Sequence, residues 1–455
     1  MNLKYTHMNI IKKICGLVVG CSMATGVMAQ QDLTLYFMNN VMQSSEVNVV
    51  ANPDSTQIFS LGLPGISSTF LNVANNGFVM SDLIKKRADD SLYLDFQNVF
   101  SKMKDLNSFS VTAHTDLLSL RIKAGKNLFI FNITDKVNVE LDYPKSLFEL
   151  LYYGNGNYVG ETVNVTGLGI NETHYREYAL GWNRTFGNFT VGVRPKVLFG
   201  KSNIYTETSN ISLYTDPNNY DLTLSSAFMV HTAGIPQGGF DPVYYMFSTQ
   251  NMGWAVDLGT SYHLNDKASF SASVQDIGAI KWKDGLTDYS MKASTFTYKG
   301  VDVAEMSDFA TNLVDSLKNT YKVTTDTSAA SYTTKLPTKI NLSASYDITP
   351  HNTFSLLLKG TSTTSGFTPS YTLGYVHQFG RIWNVGLSYS VMNKTYNNVG
   401  VCSSLKLGPF QFYTVTDNVV AYFLPEKAKS INLRFGMNIV VYQRKHTVVP
   451  DKPKF

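Results

Sequence analysis

The chain has 455 residues, with 38 Lys and Arg against 34 Asp and Glu, 44% hydrophobic residues and a mean hydropathy of −0.09. A formal charge of +4 without a basic run gives no field for nucleic acid. No apolar run reaches 18 residues, which excludes membrane-spanning helices but not a membrane barrel, whose lumen-facing residues dilute the average.

Residues 1–29 read as an export signal. Lys4, Lys12 and Lys13 form the positive region, Ile14 to Val19 a short apolar core, and Val27-Met28-Ala29 a small-residue site that places cleavage between Ala29 and Gln30. The rival is a lipoprotein signal, because Val18-Val19-Gly20-Cys21 resembles a lipobox. Cleavage after Ala29 leaves 35 basic and 34 acidic residues, a charge of +1, and a single cysteine, Cys402, so no intramolecular disulfide.

Residues 30–107 are expected to form an N-terminal hatch or plug, with a first strand over 56–68 that Pro64 limits to an edge or an end. From Phe78 to Asn107 the spacing turns helical, with Asp82 and Asp95 as candidate caps. Helices that carry so much charge cannot sit in lipid, so they are expected in the lumen or over its periplasmic mouth.

The barrel is expected over 108–443, with strands at 108–123, 127–141, 173–186, 188–200, 203–213, 220–229, 251–263, 267–277, 331–347, 352–363, 370–379, 381–392, 397–407, 410–417 and 430–443. Gly125-Lys126-Asn127 and Gly187-Asn188 supply tight turns. The pattern is plain at Val385, Leu387, Tyr389 and Val391, where Asn, Gly and Ser fill the gaps. Leu433, Phe435, Met437, Ile439 and Val441 repeat it, as do Ile340, Leu342, Ala344 and Tyr346, and Ala268, Phe270, Ala272 and Val274. One face is apolar and aromatic, the other small and polar, which is the alternation of a membrane-spanning barrel. The 27 Tyr and 27 Phe suit girdles at two interfaces. The fold class is therefore all-β, a transmembrane antiparallel barrel of about 14 strands (12–16) with short helices in its loops.

Three insertions interrupt it. In 142–172, Pro144 opens a short helix that Gly154 closes. Residues 230–250 are rich in Gly, Pro and Tyr. In 284–330 an amphipathic helix is expected, with Val303, Phe309, Leu313 and Leu317 on its apolar face. Residues 444–455 form a C-terminal tail.

Several segments carry a family resemblance in order along the chain. They are Glu177-Tyr178-Ala179-Leu180-Gly181-Trp182, Val193-Arg194-Pro195-Lys196, Val274-Gln275-Asp276-Ile277-Gly278, Gly408-Pro409-Phe410 and Asn432-Leu433-Arg434-Phe435-Gly436. Together they resemble uncharacterised Bacteroidota outer-membrane proteins related to the PorV and FadL type of barrel. The resemblance implies an outer-membrane location, about fourteen strands and an N-terminal segment in the lumen that starts near Asn52-Pro53. The chain departs from outer-membrane barrels that end on an aromatic strand residue: its last strand stops near Tyr442, and Pro450 and Pro453 follow.

Catalytic and metal signatures are absent from the pattern, and no cofactor is expected. The histidines lack zinc or hydrolase spacing. In His114-Thr115-Asp116 a strand turns Thr115 away from both neighbours, and Asp216, Asn218 and Asp221 are too few oxygens for a calcium loop. Arg194, Lys196 and Arg434 fall on the polar face, so they and Asp276 are candidate lumen charges, while Trp282 is expected at a membrane interface. Two non-enzymatic functions compete: an accessory or scaffold subunit that meets envelope proteins, and a passive transporter of hydrophobic or amphipathic molecules. Transport calls for an apolar lumen-facing stripe, whereas the inward series of Ser, Asn, Gly and Thr argues for a polar interior. Outer-membrane lipid is the surrounding partner on either account.

Overall fold

The computed structural model describes residues 32–51, 57–235, 241–298, 324–327, 329–363, 366–392 and 395–443. Its strands join into one closed antiparallel barrel of fourteen staves. β1 comprises Gln57–Gly62 and Thr69–Asn75; then follow β2 (Leu106–Ala124), β3 (Asn127–Pro144), β4 (Gly169–Phe186) and β5 (Phe189–Thr215). Three further staves are interrupted: β6 (Leu222–Ala233 and Asn251–His263), β7 (Ala268–Trp282 and Thr287–Tyr298) and β8 (Thr324–Asp326, Tyr332–Lys335 and Thr338–Thr349). β9 (Asn352–Thr363), β10 (Gly366–Phe379), β11 (Trp383–Met392), β12 (Thr395–Leu407), β13 (Phe410–Thr416) and β14 (Ser430–Tyr442) complete it. β1 pairs with both β14 and β2, which closes the wall. Closure satisfies every strand edge, the condition for putting a sheet in lipid.

The alternation is inverted relative to a soluble protein. On β14, Ile431, Leu433 and Phe435 are exposed while Asn432, Arg434, Gly436 and Asn438 are buried. On β11, Leu387 and Tyr389 face out and Ser388 and Ser390 face in. An apolar outside around a polar inside is stable only in a bilayer, so the protein is an integral outer-membrane barrel.

One end carries tight turns between β2 and β3, β4 and β5, β10 and β11, and β12 and β13, with Gly125, Gly187, Gly380 and Gly408 at φ 59–61°. Short turns mark the periplasmic end. The long connections lie at the other, extracellular end. They hold α1 (Met80–Leu83), α2 (Phe96–Lys102), α3 (Lys145–Tyr153), α4 (Pro242–Phe247, within β6) and α5 (Val420–Phe423).

Several expectations are corrected here. Residues 76–105 join the tops of β1 and β2, so α1 and α2 sit neither in the lumen nor over the periplasmic mouth. Asp95 does cap α2 (Asn98 N to Asp95 Oδ1, 3.0 Å). β1 is an interior stave despite Pro64, which falls in the turn between its two pieces. Segments 188–200 and 203–213 are one strand of 27 residues. Thr287–Tyr298 is wall rather than loop; the helix expected over 303–321 lies outside the described residues, as do 1–31 with the Ala29–Gln30 cleavage site.

Candidate functional site

Residues 32–51 fold back and forth within the lumen: Asp417 accepts the Thr34 N–H at 2.8 Å, Asn40 reaches Ser404 near the periplasmic turn, and after a return to mid-lumen Asn183 donates to the Val49 carbonyl at 2.7 Å. Two 3₁₀ turns, Leu35–Phe37 and Met42–Glu46, shape this plug. Short turns leave many backbone groups without internal partners, and the polar lumen wall supplies them. Arg194 donates to the Ser45 carbonyl (3.0 Å), Gln275 to the Glu46 carbonyl (3.0 Å) and Gln411 to the Asn40 carbonyl (3.2 Å). Side chains pair as well. Gln43 and Asn438 exchange two amide hydrogen bonds of 2.9 Å, Thr34 Oγ1 lies 2.7 Å from Ser388 Oγ, and Tyr36 OH lies 2.9 Å from Ser271 Oγ. Leu33, Tyr36 and Phe37 pack on Leu357 and Met392.

Charge organises the middle of the lumen. Arg434 makes a forked contact with Asp32 (2.9 and 2.8 Å) and a third bond to Glu46 (2.9 Å), so it holds the plug at both ends of its sequence. Lys196 lies 2.5 Å from Asp276, 2.8 Å from Asp257 and 3.7 Å from Glu177. Lys136 reaches Glu177 at 2.7 Å, Lys339 reaches Asp276 at 2.9 Å, and Arg194 approaches Glu177 at 3.6 Å. Five cations thus face five carboxylates. Burial makes each charge depend on its partners, because an unpaired one in low dielectric is far costlier than the pair. Arg194, Lys196, Asp276 and Arg434 all point into this network, and the sequence could not name their partners Glu177, Asp257, Asp32 and Glu46, which come from other staves or from the plug.

Asp276 has a second role. Its φ is +59°, and the β6–β7 register slips there, so that Val256 and Leu258 oppose Ile277 and Val274. This bulge inserts one residue and reverses the parity of β7. Below it Ser271, Ser273 and Gln275 face inward; above it Ile280 and Trp282 do. Trp282 is therefore fully buried rather than at a membrane interface, with its Nε1 donating to Thr334 Oγ1 at 2.8 Å. It joins Tyr175, Leu198, Ala233, Ala255, Ile280 and Leu336 in an apolar cluster on the lumen side of β4 to β8, above the charged layer. The polar interior expected from the inward Ser, Asn, Gly and Thr series gives way here to an apolar patch.

The cluster lies at a seam. β6 leaves the wall after Ala233 and returns at Asn251, β7 breaks after Trp282, and β8 is interrupted between Asp326 and Tyr332. Three adjacent staves are broken at one height. Asn251 bridges the gap, its Oδ1 accepting from the Lys283 and Asp284 N–H groups at 2.9 Å each.

Outside the wall at this height, Arg176 makes a forked bond to Asp135 (2.7 Å twice), a pair on the lipid-facing parity. α4 covers its neighbours: Tyr245 OH contacts His174 Nδ1 at 2.7 Å and Ser202 Oγ at 3.0 Å, and the Ser248 carbonyl accepts from Lys201. Val243 and Phe247 on the helix's outer side are exposed. Asp116 faces inward and accepts from Ser119 and Thr134, without Thr115. Asp216, Asn218 and Asp221 lie in an exposed turn in which Asp216 Oδ1 accepts the Asn218 N–H.

No curated protein matches the chain. Among solved structures it is similar to the toluene transporter TbuX of Ralstonia pickettii (9% identity, 86% of this chain and 89% of that one, TM-score 0.39). It is also similar to a FadL homologue of Pseudomonas aeruginosa (9%, 92% and 96%, 0.40) and to the toluene transporter TodX of Pseudomonas putida (10%, 92% and 94%, 0.37). These likenesses are distant, and none bears on what this chain carries. The sequence match is firmer: a family model spans residues 52–417, and the chain belongs to that family of unknown function, DUF5723.

Proposed function

We propose that this barrel passes small hydrophobic or amphipathic molecules across the outer membrane, without catalysis, and that residues 32–51 are the closure that moves to let them through. The observation that carries the proposal is the closed apolar cluster around Trp282 on the lumen side of the wall, the apolar lining that transport requires once the plug moves. It sits above a plug that the buried Arg434 pairs anchor at Asp32 and Glu46; between those anchors the neutral hydrogen bonds contribute only about 1 kcal/mol each, so that segment can be released without unfolding the wall. An accessory-subunit role, which the PorV resemblance implies, is favoured by a different observation: Leu92, Leu151 and Phe423 are exposed on the extracellular connections.

A disulfide lock tests the proposal. Thr34 and Ser388 touch through their hydroxyls, so Thr34→Cys with Ser388→Cys, in a Cys402→Ser background, ties the plug to β11. Uptake of a fluorescent fatty acid into proteoliposomes is expected to fall on oxidation and return on reduction. Flux that ignores the lock would sink the moving-plug proposal. No flux in either state, with a stoichiometric protein retained from native membranes in mild detergent, establishes the accessory role instead.

A further inference from the structure

A trough of about 620 Å³ runs along the outer wall across β7 to β12, lined by Ala268, Phe270, Ala344, Tyr346, Phe354 and Leu373 among others. Its depth comes from alternation of size across the staves. Register sets Ala268 opposite Tyr346 and Phe270 opposite Ala344, so each small residue lies beside a ring on the next strand. Phe354 and Tyr375 extend the ring side, their centroids 4.8 Å apart. A convex barrel wall otherwise sheds lipid chains evenly; here two alanines leave a concave, apolar channel of ligand-site size.

Its position selects the occupant. Ala268 and Tyr346 lie next to the periplasmic turns 264–267 and 350–351, so the trough is in the periplasmic half of the apolar belt. The turns below it expose Lys267 and His351, with Asp266 beside Lys267. The Lys267 carbonyl accepts the Asp347 N–H at 2.8 Å, which fixes the turn that carries the ammonium. An apolar slot in the lipid belt, above a turn that carries an ammonium and a carboxylate, fits a molecule with a long chain and a phosphate head within reach of the ammonium. We propose that the trough is a binding site for one glycerophospholipid of the periplasmic leaflet, with an acyl chain between Phe270 and Phe354 over Ala344 and the phosphate at Lys267. The site is separate from the lumen, so it stands or falls independently of transport.

The test uses the full barrel, delipidated in mild detergent and titrated with dioleoyl-phosphatidylglycerol, with bound lipid counted by native mass spectrometry. One lipid is expected to bind ahead of all others. Filling the trough with Ala268→Phe and Ala344→Trp is expected to weaken that first step by about tenfold or more, since affinity scales with buried chain. Phe270→Ala, which opens one side of the trough and removes no lumen group, is expected to weaken it too, and Lys267→Gln by several-fold. Heat-modifiable migration on gels reports folding of each variant. A graded ladder with no preferred first lipid, or a first step as tight in the filled and Phe270→Ala variants as in the parent, overturns the proposal. So does recovery of a protein on this face that Ala344→Trp displaces.

Discussion

Lys196 sits among three carboxylates, with Asp276 at 2.5 Å, Asp257 at 2.8 Å and Glu177 at 3.7 Å, and is itself buried. Its replacement by Met leaves that cluster short of one charge in a medium that cannot solvate the remainder. Lys196→Met is expected to destabilise the barrel by about 3–5 kcal/mol, read as a lowered urea midpoint in detergent. Lys196→Met with Asp257→Asn is expected to recover part of the loss, because Asp257 pairs with Lys196 whereas Asp276 keeps Lys339 at 2.9 Å; a double variant no better than the single one contradicts the pairing. The sequence placed Arg194, Lys196 and Arg434 on the inward parity, and a strand's period of two suffices for that. Their partners were illegible. Asp32 lies 402 positions from Arg434, and no local pattern joins the two.

At the scale of elements, the bulge at Asp276 decides the most. It turns Trp282 inward onto Gly200, where an added Cβ would stand 2.4 Å from the indole ring. Gly200→Val is therefore expected to cost about 1–3 kcal/mol through overpacking, and Trp282→Leu in the same chain to restore much of it. Thermal unfolding of the two variants checks this, and a Gly200→Val barrel as stable as the parent refutes the packing. Nothing in the residues 274–282 marks the bulge, because Asp276 is an ordinary polar residue in an alternating run. Only the mismatch with β6 forces the left-handed backbone. The same blindness made β5 look like two strands: its extracellular half continues past what a bilayer needs and pairs with β6, so Lys201 and Ser202 are wall residues rather than a turn. α4 shows the converse, a loop helix held against the outer wall by His174 and Ser202 at Tyr245 and by Lys201 at the Ser248 carbonyl.

For the whole molecule, the solvent is the bilayer. About 9–11 residues of tilted strand cross it, and β9 to β14, with 7 to 14 residues, do little more. β2 to β5, with 18 to 27, rise well beyond it, so the extracellular rim is tall on one side. An outward position in the common belt carries a lipid-specific cost. Leu373→Arg, at the middle of β10, is expected to lower stability by about 2–4 kcal/mol, measured by refolding into vesicles. Little change there would mean that water or protein, not lipid, covers that face.

Sequence by itself determined the class of fold, the side of the wall on which each regular residue lies, and several tight turns at the periplasmic end. Those follow from local rules: a two-residue period, the absence of long apolar runs, and glycines where φ must be positive. Tertiary structure alone decided which charges meet, where the plug runs, and that the lumen side of β4 to β8 carries an apolar cluster. Each of those depends on register between strands distant in sequence, and a single inserted residue in one strand reverses every side chain beyond it.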